Sequence, residues 1–162
     1  MPEGFNPSKA AERKTYRYLI LRGTIRDPFL EDRAWRVFDT LNVESMRREA
    51  QALVGVHDFA AFRSSADFRD HTERHIQRAE VVQPVENPRL LAIEIEGNRF
   101  LHNMVRIIVG TLVDVARGKR EAGAFERAFK SLDRLDLGVT APAAGLYLAQ
   151  LTLRELGDDP WP

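Results

Sequence analysis

The sequence predicts an α+β domain in which helices pack a mostly antiparallel sheet. Three observations carry this reading. Residues 15–23 and 90–97 alternate their side chains as half-buried strands do. Residues 43–54 and 121–132 instead space apolar side chains at helical intervals. Between the sheet and the last helix, residues 99–117 are apolar over more than one stripe, the pattern of a helix buried around most of its circumference.

In chain order, Met1 to Ala11 carries Pro2, Gly4, Asn6, Pro7 and Ser8 and reads as an extended lead-in. Thr15 to Gly23 is rich in aromatic and branched residues, which favour strands. Alternation puts Tyr16, Tyr18 and Ile20 on one face and Arg17, Leu19 and Leu21 on the other. Asp27-Pro28 marks a turn, and residues 30–40 read as irregular around Trp35 and Phe38. Asn42 is placed to cap a helix over 43–54, with Met46, Ala50, Leu53 and Val54 at core spacing and Gly55 ending it.

Asp58 is expected to cap a short helical turn. Its neighbour His57 suggests a dyad, but adjacent side chains seldom converge, so capping is preferred. Residues 63–74 read as polar and mobile. Strands over 75–83 and 90–97 follow, joined by the loop Gln83-Pro84-Val85-Glu86-Asn87-Pro88. Leu91, Ile93 and Ile95 share one face of the second strand, and Glu94 and Glu96 share the other. The apolar helix ends near Arg117-Gly118-Lys119. A second helix carries Phe125, Ala128, Phe129 and Leu132, and a tight loop at 139–145 leads to a last strand over 146–153. One domain over 1–154 and a flexible, acidic tail at 155–162 complete the expected organisation.

Composition limits the function classes. With 162 residues, 44% hydrophobic and 30% charged, the chain has the make-up of one ordinary globular domain. It has no cysteine, which excludes disulfides, zinc thiolates and cysteine nucleophiles and is compatible with a reducing cytoplasm. No signal-peptide pattern opens the sequence, and no apolar run approaches the roughly 20 residues that span a bilayer, so no membrane partner is expected. The net charge of zero argues against a strongly basic nucleic-acid binder. Residues 1–26 nevertheless set Lys9, Arg13, Lys14, Arg17, Arg22 and Arg26 against only Glu3 and Glu12, which leaves a local basic face open beside a plain solvated surface. Histidines at 57, 71, 75 and 102 are scattered, so no metal is expected.

The sharpest chemical signal is Arg106, one cation amid Met104, Val105, Ile107 and Ile108. A guanidinium keeps its charge, and burying it unpartnered costs several kcal/mol or more. It must reach water, or face a site that supplies an anion. On these facts alone the plain alternative, an ion pair with an Asp or Glu of the same chain, is preferred.

At several separated places the letters go beyond pattern. Arg13-Lys14-Thr15-Tyr16-Arg17-Tyr18 resembles the tyrosine strand of the tRNA pseudouridine synthase A family. Gly97-Asn98-Arg99-Phe100-Leu101-His102-Asn103-Met104-Val105-Arg106-Ile107-Ile108-Val109-Gly110 resembles its signature helix nearly letter for letter. Ala141-Pro142-Ala143-Ala144-Gly145-Leu146-Tyr147-Leu148 is similar to its closing loop and strand, and Leu53-Val54-Gly55-Val56-His57-Asp58-Phe59 to the segment between. Order and spacing agree from about Pro2 to Leu153, so each weak motif is strengthened by the others.

The resemblance implies a pseudouridine synthase-like C-terminal domain acting in the isomerisation of uridine to pseudouridine in the tRNA anticodon arm. It implies a homodimer that needs no organic cofactor and flips its target base out of the stack. Tyr16 matches the family's active-site tyrosine, which stacks on the base, and Arg106 the arginine that pairs with the catalytic aspartate. That match reverses the preference for an internal ion pair. Tyr16, Arg17, Arg63, Asn103 and Arg106 are the expected substrate contacts.

The sequence departs from the family in one respect. The family's catalytic aspartate lies in a Gly-Arg-Thr-Asp-Ala-Gly motif on an N-terminal domain, and none of Asp27, Asp58, Asp67, Asp70 or Asp114 has that context. The chain is therefore expected to be the RNA-contacting C-terminal half, inactive alone, with the N-terminal domain or a partner chain supplying the rest. Met1 is read as a start assigned inside a longer gene, an artificial boundary, or the true start of a stand-alone half. A rival from another class is a non-catalytic RNA-binding or dimerisation module using Arg13, Lys14, Arg17, Arg63, Arg69 and Arg74 on phosphates. A gene remnant is the third.

Overall fold

In the computed structural model, residues 11–64 and 70–153 are described, and they form an α+β fold on one six-stranded sheet. The strands are β1 (Ala11–Arg22), β2 (Trp35–Val37), β3 (Gly55–Asp58), β4 (Glu73–Val82), β5 (Leu90–Gly97) and β6 (Leu146–Leu153). The helices are α1 (Val43–Gln51), α2 (Met104–Ala116) and α3 (Ala124–Ser131). The sheet runs β2-β1-β5-β4-β3, and β6 pairs with the first part of β1 on the edge that β2 occupies further along. Every pairing is antiparallel except the short parallel ladder between β1 and β2. The lead-in before Ala11, the acidic tail at 155–162, Asp67 and Arg69 lie outside the described residues.

Most expected elements are present, with bounds set by local chemistry. Strand β1 begins four residues earlier than the expected Thr15, because β6 pairs with it back to Ala11 and β5 back to Lys14. Asn42 caps α1 by accepting the Ser45 N–H at 3.1 Å. The helix stops at Gln51 rather than 54, because Ala52, Leu53 and Val54 donate to carbonyls three residues back in a tightened last turn. Two short strands, β2 and β3, occupy stretches expected to be irregular and a helix end. Asp58 ends β3 and accepts the Ala60 N–H at 2.9 Å, which starts the expected helical turn at Ala60–Phe62. Thr72 and Arg74, expected in a polar mobile stretch, are buried, because β4 starts at Glu73.

The sheet's two faces divide the chemistry. Tyr18, Ile20, Leu91, Ile93, Ile95, Ala79 and Val81 pack under the helices in a single core. Phe59, Phe62, Phe125 and Phe129 join them as a ring cluster in which His57 stacks on Phe129 at 4.3 Å. The opposite face is a charge lattice. Arg17 pairs with Glu94 at 2.7 Å, Arg13 with Glu96 at 3.3 Å, and Arg78 bridges Glu80, Glu94 and Glu96. Burial works against the Glu94 charge, yet the hydrogen bonds from Arg17 and Arg78 hold that carboxyl below its usual range.

Helix α2 is the hub. All of its residues are buried except Arg106. It begins at Met104 rather than 99, because Asn98 takes the N–H groups of His75 and Arg99 in a turn and Asn103 adopts a left-handed conformation at φ 62°. The segment 138–142 runs along the helix and is stitched to it at several points. Gly138 N–H donates to Thr111 Oγ1 at 2.9 Å, Val139 N–H to Asp114 Oδ2 at 3.2 Å and Ala141 N–H to the Arg106 carbonyl at 3.0 Å. Glycine is required at 110, because a Cβ there would sit 1.7 Å from the Val139 carbonyl oxygen. Beyond the seam, the buried Tyr18 hydroxyl donates to the Pro142 carbonyl at 2.6 Å. Burial pushes that hydroxyl's ionisation well above its ordinary value, and the attraction of Arg106 offsets only part of the rise.

Two predictions follow from this seam. Gly110→Ala, which drives a methyl into a backbone carbonyl, should lower stability by about 3 kcal/mol in urea unfolding. A loss under about 0.5 kcal/mol, the range of a surface change, would show that the seam is loose. Tyr18 supplies the second. Its folded pKa lies above the unfolded value of about 10, so its contribution is complete below pH 10 and lost as pH rises. Above that point the wild-type chain should lose stability more steeply than Tyr18→Phe, by up to about 1.4 kcal/mol per pH unit. At neutral pH the substitution should cost about 1 kcal/mol for the lost hydrogen bond. Parallel pH profiles for the two proteins would contradict the assignment.

Candidate functional site

The site is built around Arg106, which α2 presents near its first turn from an otherwise sealed helix. Its Nε donates to the Ala141 carbonyl at 2.7 Å, and its Nη1 donates to Asn103 Oδ1 at 2.9 Å. Both acceptors are neutral. No carboxylate lies within ion-pair distance of Arg106 among the described residues, so the internal ion pair favoured on physical grounds alone is not formed among them. Arg120 and Arg127 are likewise held by carbonyl oxygens, whereas four other arginines differ. Arg13, Arg17, Arg78 and Arg117 each hold a carboxylate at 3.3 Å or less. The Arg106 Nη2 has no acceptor among the described residues.

The tyrosine strand faces this cation. Tyr16 and Tyr18 point to the helix side of β1, since Tyr18 lies in the core and Tyr16 packs against it. Tyr18 is close enough for the charge of Arg106 to act on its hydroxyl. Its ring is fully buried and its hydroxyl occupied, which makes it part of the scaffold. Tyr16 is half-buried, and its ring meets the edge of Phe100 at 4.9 Å with planes 79° apart. A partly open aromatic ring of this kind can stack on a planar group.

The remaining expected contacts separate. Arg17 lies on the far face of the sheet from Tyr16 and is neutralised there by Glu94, so the structure does not bring it to Arg106. Arg13 is neutralised beside it by Glu96. Arg63 follows the turn Ala60–Phe62, and Ser64 next to it binds His102 twice, through its N–H to the carbonyl at 3.3 Å and its hydroxyl to Nδ1 at 2.7 Å. Arg63 is thereby held beside the turn that precedes α2. Asn103 is at the site, bonded to Arg106. Sequence reasoning missed the Ala141 carbonyl and the Phe100 edge. A backbone acceptor leaves no letter to find, but the Ala141-Pro142 pair opening the closing loop was its nearest signal.

Three of the acidic candidates are engaged elsewhere. Asp27 caps Phe29, Asp58 caps Ala60 and accepts from Thr72, and Asp114 holds Arg117 and the Val139 N–H. Among the described residues no cluster of three or more His, Asp or Glu side chains could hold a metal ion. No helix among them is long and apolar enough to cross a membrane.

Known proteins are similar to this chain over most of its length. The sequence model described as tRNA pseudouridine synthase matches residues 50–152, which include α2, its seam and all but the last residue of β6. Among curated proteins, "tRNA pseudouridine synthase A" of Thermoanaerobacter sp. (strain X514) is 39% identical over 149 residues, covering 92% of this chain and 60% of the relative. The protein of that name from Geobacter sp. (strain M21) is 41% identical over 152 residues, covering 93% and 60%. That from Citrifermentans bemidjiense is 39% identical over 159 residues, covering 98% and 62%. This chain thus spans about 60% of the length of the relatives it matches. A family match over most of the chain, running through the helix that carries Arg106, means that this chain belongs to the tRNA pseudouridine synthase family.

Proposed function

We propose that this chain takes part in the isomerisation of uridine to pseudouridine in tRNA, at the anticodon arm, and supplies one wall of the catalytic site. The observation that carries the proposal is Arg106: it is half-buried, held by two neutral oxygens, and without a carboxylate among the described residues. A cation fixed in this way is complementary to an anion brought from outside the described fold. In this family's chemistry that anion is the catalytic aspartate, whose Gly-Arg-Thr-Asp-Ala-Gly setting is not found in these 162 residues. The roughly 40% of the relatives that this chain does not span is the natural place for it.

In this reading the labour is divided. Arg106 holds the aspartate ionised and oriented. Tyr16 offers its half-buried ring to the flipped uracil. The uracil must leave the helix stack before its glycosidic bond can be reached. The bond to N1 breaks, the ring turns, and a bond forms from C5 to the same ribose carbon. The C5 proton then leaves, and N1 gains one. No redox change occurs, so no organic cofactor is needed for atom balance. The working unit is taken to be a homodimer.

A non-catalytic module binding RNA through Arg13 and Arg17 has less support, because both guanidiniums face glutamates.

The test uses an unmodified tRNA transcript with uridine tritiated at C5, whose release reports isomerisation. The chain alone should release no tritium above background. With the N-terminal part of a relative added in trans, release should appear, and Arg106→Ala should slow it by about 100-fold or more. Release by the chain alone would require another nucleophile. Undiminished release by Arg106→Ala in the reconstituted mixture would remove Arg106 from the site.

A further inference from the structure

We infer that Asn103 is a positioning residue that holds the Arg106 guanidinium ready for an anion, and that it has given up the capping of α2 to do so. The inference rests on the reading of Arg106 as the site cation.

Asn103 occupies the cap position of α2, where an asparagine side chain ordinarily accepts a backbone N–H of the first turn. Here it makes no such bond. Its backbone carbonyl starts the helix by accepting the Ile107 N–H at 2.9 Å, while its side-chain oxygen turns to Arg106 Nη1. Asn42 at the head of α1 does the ordinary thing, accepting the Ser45 N–H at 3.1 Å. The left-handed φ of 62° at Asn103 also has a steric cost that asparagine tolerates better than most residues. Cap and conformation together are spent on one hydrogen bond to the guanidinium.

That bond and the Ala141 carbonyl fix the guanidinium at two of its three nitrogens. Nη2 is left without a protein acceptor among the described residues, on a side chain that is only half-buried. The choice of amide matters as much as its place. An aspartate at 103 would reach the same nitrogen and suit a helix N-terminus better, but it would neutralise the cation before any ligand arrives. Asparagine supplies the oxygen without the charge. The site therefore takes a singly or doubly charged oxyanion, a carboxylate or a phosphate, at the open side of Arg106.

The test compares the wild-type chain with Asn103→Asp and Asn103→Gly. Glycine accepts the left-handed backbone, and aspartate keeps the oxygen, so both variants should fold; urea unfolding checks this. Binding is read in two ways: by sulfate titration of the Arg106 Nε–Hε NMR resonance, and by affinity for an unmodified tRNA transcript. Asn103→Asp should match or exceed wild-type stability while losing about tenfold in both affinities. Asn103→Gly should lose a similar factor, because the fork is no longer held. Wild-type affinities in both variants would overturn the inference, since a residue serving only the backbone would then suffice. A wild-type Arg106 resonance that ignores sulfate would overturn it as well. Sulfate effects as expected, with no tRNA binding by any of the proteins, would uphold the positioning role and sink the RNA reading instead.

Discussion

The contact between the bare backbone of Gly110 and the carbonyl of Val139 is the constraint on which the rest of the structure depends. It lets segment 138–142 lie directly on α2, so that polar groups of the helix can take its N–H groups. That segment then delivers two carbonyls, one to Arg106 and one to Tyr18. The cation and the strand that carries the tyrosines are therefore referred to the same short stretch of backbone. Main-chain atoms in a sealed seam move little, because packed interiors offer no spare volume. The cation inherits that rigidity.

Charge is organised by face. On the far side of the sheet, arginines and glutamates are interleaved across β1, β5 and β4, each satisfying the next. Partly exposed pairs of this kind contribute little stability each, typically under 1 kcal/mol. Their effect is to leave that face neutral. On the helix side the opposite holds: one guanidinium, bonded only to neutral oxygens, stands against a wall of apolar side chains. A net charge of zero does not show this difference, because it sums charges without regard to which of them are paired. Local pairing, rather than total charge, distinguishes the two surfaces.

Much of this was legible in the sequence, and the reasons are physical. The alternation of Leu91, Ile93 and Ile95 with Glu94 and Glu96 placed β5 with its wet and dry faces correctly, because a sheet with one solvated side imposes a two-residue period. The same rule already set Tyr16 and Arg17 on opposite faces. The short strands β2 and β3 were not legible, since three or four residues carry no period and are ordered by their neighbours. The start of α2 was missed because Phe100 and Leu101 are as apolar as the helix that follows, although the chain turns there at Asn98 and Asn103. At the site, Arg106 stood out by its surroundings. What holds it did not, because one acceptor is a main-chain carbonyl and the other an asparagine that could equally have been a cap.

The pairing of β1 with β6 joins the two ends of the described chain. Tyr16 sits between Ile95 on one neighbour and Leu148 on the other, so its strand is enclosed on both edges only when β6 has docked. During synthesis that strand is the last described element to emerge. Pairings between distant parts of a chain close slowly, since the loop entropy must be spent before the contacts form. Until then β1 has one bare edge, and the segment that grips Arg106 has no strand to anchor its far end. Closure of the sheet around Tyr16 thus depends on the described strand that lies furthest along the chain.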